Sequence, residues 1–150
     1  MKQQGHKIFY YVSMAGITLA ILGLLYAGFM LFWPYKTVTF NQTQNLKVLN
    51  ENKQVRAGED LQYEISYCRY TDKQAIMTRT LQDGVVYILP PVQATKVGEG
   101  CKDNVKVNIA TIPKAIPPGK YTMVVTLEYK VNPLRTITHT LATEQFYVVK

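Results

Sequence analysis

Only two serines (Ser13, Ser66), two histidines (His6, His139) and two cysteines (Cys68, Cys101) occur among the 150 residues. A serine nucleophile needs a base and an orienting acid beside it, yet Ser13 falls in an apolar run and Ser66 in a strand-like stretch. His139 alternates with Ile137 and Leu141 as a structural strand histidine would. Glu59-Asp60, Asp72, Asp83 and Glu99 all fall in turn-like segments, where solvated charge is the ordinary explanation. No glycine-rich phosphate loop, zinc spacing or calcium loop is present. The expected protein is therefore not an enzyme, and it calls for no metal and no cofactor.

Charge is missing where it matters most. From Ile8 to Trp33 the chain contains no Asp, Glu, Lys, Arg or His. Twenty-six such residues make a helix about 39 Å long against a hydrocarbon core of roughly 30 Å. Phe9, Tyr10 and Tyr11 border one end and Phe32, Trp33 and Tyr35 the other, at the depth where amphipathic rings settle. Pro34 stops the helix. The run is too long for the apolar part of a cleaved signal and has no A-x-A site at its far end, so a retained anchor is expected.

Small residues mark one side of this span. Ser13, Gly16, Ala20, Gly23 and Ala27 recur at spacings of three and four, within roughly an 80° stripe. Such a groove lets a second transmembrane helix approach closely, from another copy or from a different subunit. The common occurrence of Gly and Ala in membrane helices is the competing explanation.

The formal charge of +7 suggests a nucleic-acid partner only at first glance. Lys2, Lys7 and Lys36 sit beside the span, and from Thr37 onward 14 basic residues are interleaved with 10 acidic ones. No nucleic-acid motif appears, so no nucleic acid is expected as a partner. Lys2 and Lys7 on one side and Lys36 and Lys47 on the other barely bias orientation. From the paired cysteines and the short N-terminal tail, residues 1–7 are expected in the cytoplasm and the domain outside it.

These features divide the chain into a tail (1–7), a transmembrane helix (8–33), a juxtamembrane segment (34–45) and one domain (46–150). Within the domain, Leu61, Tyr63, Ile65 and Tyr67 alternate with polar residues, as do Tyr121, Met123, Val125, Leu127, Tyr129 and Val131. Asp83-Gly84 suits a tight hairpin turn, and Pro90-Pro91 is expected to end its second strand. Asn50–Gly58 and Gln93–Asn104 read as loops. Val105, Val107 and Ile109 resume a period of two, and the last strand, Arg135–Val149, loses parity near Glu144-Gln145, where a bulge or kink is expected.

About seven short strands without a helix describe an all-β sandwich. The domain resembles the immunoglobulin-like and fibronectin type III superfamily through Ala57-Gly58-Glu59-Asp60-Leu61 and Pro117-Pro118-Gly119-Lys120-Tyr121, each leading into a strand. The resemblance implies that Tyr121 forms a tyrosine corner, and Met123 stands where a second core cysteine would be. It departs in lacking a core Trp and in the placement of its cysteines, and it implies architecture rather than activity.

Cys68 near a strand end and Cys101 in the loop after it are candidates for a disulfide. Two free thiols or a metal site are the alternatives. Tyr70, Lys96, Lys102 and Lys106 form a candidate contact surface. The leading expectation is a single-pass, non-catalytic structural or interaction subunit of an envelope, virion or appendage assembly, with the lipid bilayer and another subunit as partners. An ectodomain binding a ligand or polysaccharide through the Gln93–Asn104 loop is the alternative. A lysis-type, membrane-disrupting protein comes third, since charged amphipathic helical material is lacking.

Overall fold

A computed structural model of the chain describes residues 2–40, 46–94 and 98–150. They form two compact units: Met1–Tyr35 with Asn132–Arg135, and Lys36–Val131 with Thr136–Lys150.

The first unit is built on one helix, α1 (Lys2–Phe32), which starts before the uncharged run. Its segment Phe9–Phe32 is long and apolar enough to cross a membrane. The helix end is closed by side chains of the same unit. Asn132 Nδ2 donates to the Met30 carbonyl at 2.7 Å and Arg135 Nη1 to the Trp33 carbonyl at 2.6 Å. These satisfy C-terminal carbonyls that have no intrahelical donor, and the Arg135 cation faces the negative end of the helix dipole. Asn132 Oδ1 meanwhile accepts the Leu134 amide at 2.9 Å, which folds the Asn132–Arg135 turn.

The second unit is mostly β, in two sheets. Its strands are β1 (Val38–Phe40), β2 (Lys47–Val48), β3 (Gln54–Arg56), β4 (Asp60–Arg69), β5 (Ile76–Asp83), β6 (Val85–Gln93), β7 (Gly100–Thr111), β8 (Gly119–Asn132), β9 (Arg135–Ala142) and β10 (Phe146–Val149). In one sheet β7 runs along one edge of β4, while β1 and β2 follow one another along the other, all antiparallel. In the second sheet the order is β3-β10-β8-β5-β6, with β9 also on β8. β3 and β10 are parallel; β10, β5 and β6 join their neighbours antiparallel.

The described residues contain ten strands where about seven are expected, because β1 lies in the expected juxtamembrane segment, β3 lies in an expected loop, and the last expected strand divides into β9 and β10. The break after Ala142 is the parity loss expected near Glu144-Gln145. There Leu46 N–H donates to the Ala142 carbonyl at 2.7 Å and Glu144 N–H to the Leu46 carbonyl at 2.9 Å, so the gap lets main chain from the first sheet pair with the second.

Three sequence expectations need correction. Asn50–Gly58 is not all loop, since Gln54–Arg56 forms β3; three residues between turns are too few to show a period. Pro90-Pro91 does not end its ribbon, because β6 continues to Gln93. β6 is an edge strand, and its register gains one residue between Leu89 and Val92. A bulge on an edge is where residues without an N–H are tolerated. Finally, the segment before Val105 is strand rather than loop from Gly100 onward, which puts Cys101 inside β7. Residues 41–45 of the expected juxtamembrane segment and 95–97 of the expected loop lie outside the described residues.

Elsewhere pattern and burial agree. Tyr121, Met123, Val125, Leu127, Tyr129 and Val131 are all buried on one face of β8. Gly84, at φ +66°, turns β5 directly into β6, with Asp83 opposite Val85. A residue with a Cβ would be strained there.

Candidate functional site: an apolar cavity between the sheets

β7 carries two bulges against β4. Register shifts between Leu61 and Tyr63 and between Ile65 and Tyr67 each add one residue on the β7 side. At the second, Asn104 takes φ +54° and its amide donates to Ser66 Oγ at 2.9 Å. Val105 and Val107 alternate with exposed Lys106 and Asn108, and past the first bulge burial falls on Ala110 and Ile112.

The packed interior is split into two clusters. One centres on Leu61, Tyr63, Met123 and Phe146, the other on Val38, Leu127, Tyr129 and Val131. Residues of both line a cavity of about 270 Å³, including Val38, Phe40, Tyr63, Ile65, Tyr67, Val107, Leu127, Tyr129 and Leu141. Ile65, Tyr67 and Val107 are only half-buried despite their central positions.

Near Val38 and Phe40, His139 sits between aromatic rings. Its ring lies edge-on to Phe40 at 5.9 Å and to Tyr129 at 6.2 Å, and Nε2 is 2.8 Å from Thr37 Oγ1. Burial lowers the pKa of His139, favouring neutral imidazole. At the free edge of β7, Lys106 and Asn108 are exposed and also border the cavity.

Burial raises the Tyr63 phenol to about 12, against a smaller opposing effect of Arg79. It raises Tyr129 as well, with Arg69 opposing. Arg69 is buried in the wall, where Nε donates to the Thr71 carbonyl at 2.7 Å and Nη2 to the Lys73 carbonyl.

Cys68 and Cys101 form a disulfide between directly opposed residues of β4 and β7, with Cα atoms 3.9 Å apart. The bond ties two neighbouring strands rather than a loop to a sheet edge. Tyr70 is exposed and belongs to a separate cluster: its hydroxyl is 3.3 Å from Thr39 Oγ1 and Lys36 Nζ lies 4.1 Å from its ring centroid. The Thr39 hydrogen bond and then Lys36 lower its pKa. Lys102 and Lys106 stand on β7 opposite Tyr67 and Glu64, and Lys96 lies outside the described residues. In the helix stripe, a Cβ built on Gly16 or Gly23 meets no atom within 4 Å, and Ser13, Ala20 and Ala27 share that side. Among the described residues no group of three His, Cys, Asp or Glu could hold a metal ion.

Comparison of the chain with protein-family models, curated proteins and solved structures gives no match. Apart from Lys106, the cavity-lining residues escaped the sequence reading because each carries an ordinary core or rim pattern. Only the bulges displace them, and β7 contains no Gly or Pro near Asn104 to mark one.

Proposed function

We propose that this protein is a single-pass, membrane-anchored, non-catalytic subunit that presents an immunoglobulin-like domain outside the cytoplasm within a larger envelope, virion or appendage assembly. The observation that carries the reading is β6. Among the described residues this strand pairs only with β5; it contains no charged residue, and it exposes Val85, Val86 and Ile88. Edges that must stay single are normally blunted by charge, whereas an apolar edge suits strand addition by a partner. The bulge at Pro90-Pro91 would confine pairing to Val85–Leu89.

The architectural part draws support from two features. Tyr121 Oη donates to the Pro117 carbonyl at 2.9 Å, four residues upstream, as a tyrosine corner does. The first strand also leaves its antiparallel partner and continues as β3, parallel to the last strand. Phe9–Phe32 supplies the anchor, with the N-terminus inside, and the Gly16/Gly23 side offers room for another helix.

The test is the particle recovered from the host membrane in mild detergent, with its mass measured by light scattering and its co-purifying chains identified. A particle heavier than one chain, which Ile88→Lys dissociates, is the expected result. A monodisperse monomer with no companion chain overturns the proposal.

A further inference from the structure

We propose that the cavity between the sheets is a binding site for one acyl chain of an anionic amphiphile, with the carboxylate held at the β7 mouth by Lys106. Ile65, Tyr67, Val107, Leu127 and Leu141 supply apolar walls on both sheets. Apolar volume between two such walls excludes water and takes hydrocarbon.

The charge on the wall selects the headgroup. Arg69 and Lys106 contribute two cations, and the lining contains no Asp or Glu, the nearest carboxylate in register being Glu64 opposite Lys106 on β4. Lys106 is exposed at the free edge of β7, so a carboxylate there stays solvated while meeting an ammonium. Arg69, held by the Thr71 and Lys73 carbonyls, adds positive potential from inside the wall. A cationic amphiphile would meet repulsion at both.

The inference rests on the membrane-anchored reading only for the natural source of acyl chains; the cavity itself is independent of it. The experiment reconstitutes the full chain in phosphatidylcholine nanodiscs and adds a dodecanoate carrying a diazirine near its methyl end. After irradiation the labelled peptides are mapped by mass spectrometry. Retention of the chain in the nanodisc on gel filtration reports on the anchor separately. The expected result is labelling of peptides containing Ile65, Tyr67 or Leu127, displaced by unlabelled dodecanoate. Val107→Trp, which fills the mouth, should abolish it. Lys106→Glu, an exposed change, should weaken labelling roughly fivefold without weakening that by a dodecyltrimethylammonium probe with the same diazirine. Labelling confined to residues 9–32, or labelling of the cavity peptides that neither variant alters, overturns the proposal.

Discussion

Glu144 and Val48 join the two sheets: Glu144 Oε1 accepts the Val48 amide at 2.9 Å, while Oε2 meets Lys53 Nζ at 2.5 Å. The carboxylate fills the gap left where the last strand breaks. Lys53 is exposed, so the ion pair itself contributes little; the hydrogen bond to a backbone amide matters more. Glu144→Ala should cost about 1–3 kcal/mol in chemical denaturation. The Lys53 hydrogen bond, followed by the Val48 amide, lowers the Glu144 pKa from 4.5. A lowered carboxyl stabilises the fold above its unfolded pKa, and that contribution is lost as pH falls below it. Glu144→Gln should flatten this acid limb, measured as midpoint against pH.

The Cys68–Cys101 disulfide closes a segment with a sequence separation of 33. Loop-closure entropy for that length corresponds to about 3–4 kcal/mol. Replacing both cysteines by alanine should lower stability by up to that amount, since β4 and β7 are already held by a long ladder. Equal midpoints for the oxidised protein and the double variant would contradict the expectation.

Tyr121→Phe removes the hydroxyl bound to the Pro117 carbonyl but keeps the ring against Tyr87, 6.1 Å away between centroids. The expected loss is about 0.5–1.5 kcal/mol. Tyr87→Phe retains the Pro117 bond and should cost less, a contrast that calorimetry can read.

Tyr63 predicts an alkaline limb. Its phenol stays protonated in the fold up to about pH 12, against 10.0 for the ordinary group. A raised pKa contributes stability that is complete below the unfolded value and disappears as pH climbs through the folded one. Between pH 10 and 12 the protein should lose roughly 2–3 kcal/mol. Tyr63→Phe should remove its share of that slope, leaving the smaller part that the raised Tyr129 phenol contributes, followed by circular dichroism across the range.

The strands whose side chains alternate over many residues were legible in the sequence. β8 shows why: six inward positions in strict order leave one register possible. The apolar helix was equally plain, since twenty-six uncharged residues have few other uses. β3 was not, because pairing with β10 is a property of two distant segments and three residues carry no period. The cavity was hidden for a related reason. Ile65 and Tyr67 look like full core residues, and their partial exposure comes from the Asn104 bulge in a different strand. Cys101 shows the same limit from the other side: glycines nearby suggest a loop, yet Gly100 at φ +130° opens a strand opposite Arg69.

The parallel pairing of β3 with β10 governs how the domain bears force. Gln54, Val55 and Arg56 lie beside Tyr147, Val148 and Val149 with both strands running the same way. Tension that reaches Gln54 from the N-terminal side and Val149 from the C-terminal side therefore draws β3 toward its own start and β10 toward its own end. The ladder is loaded in shear, and its bonds must give way together. A hairpin pulled open from its ends would instead unzip one rung at a time.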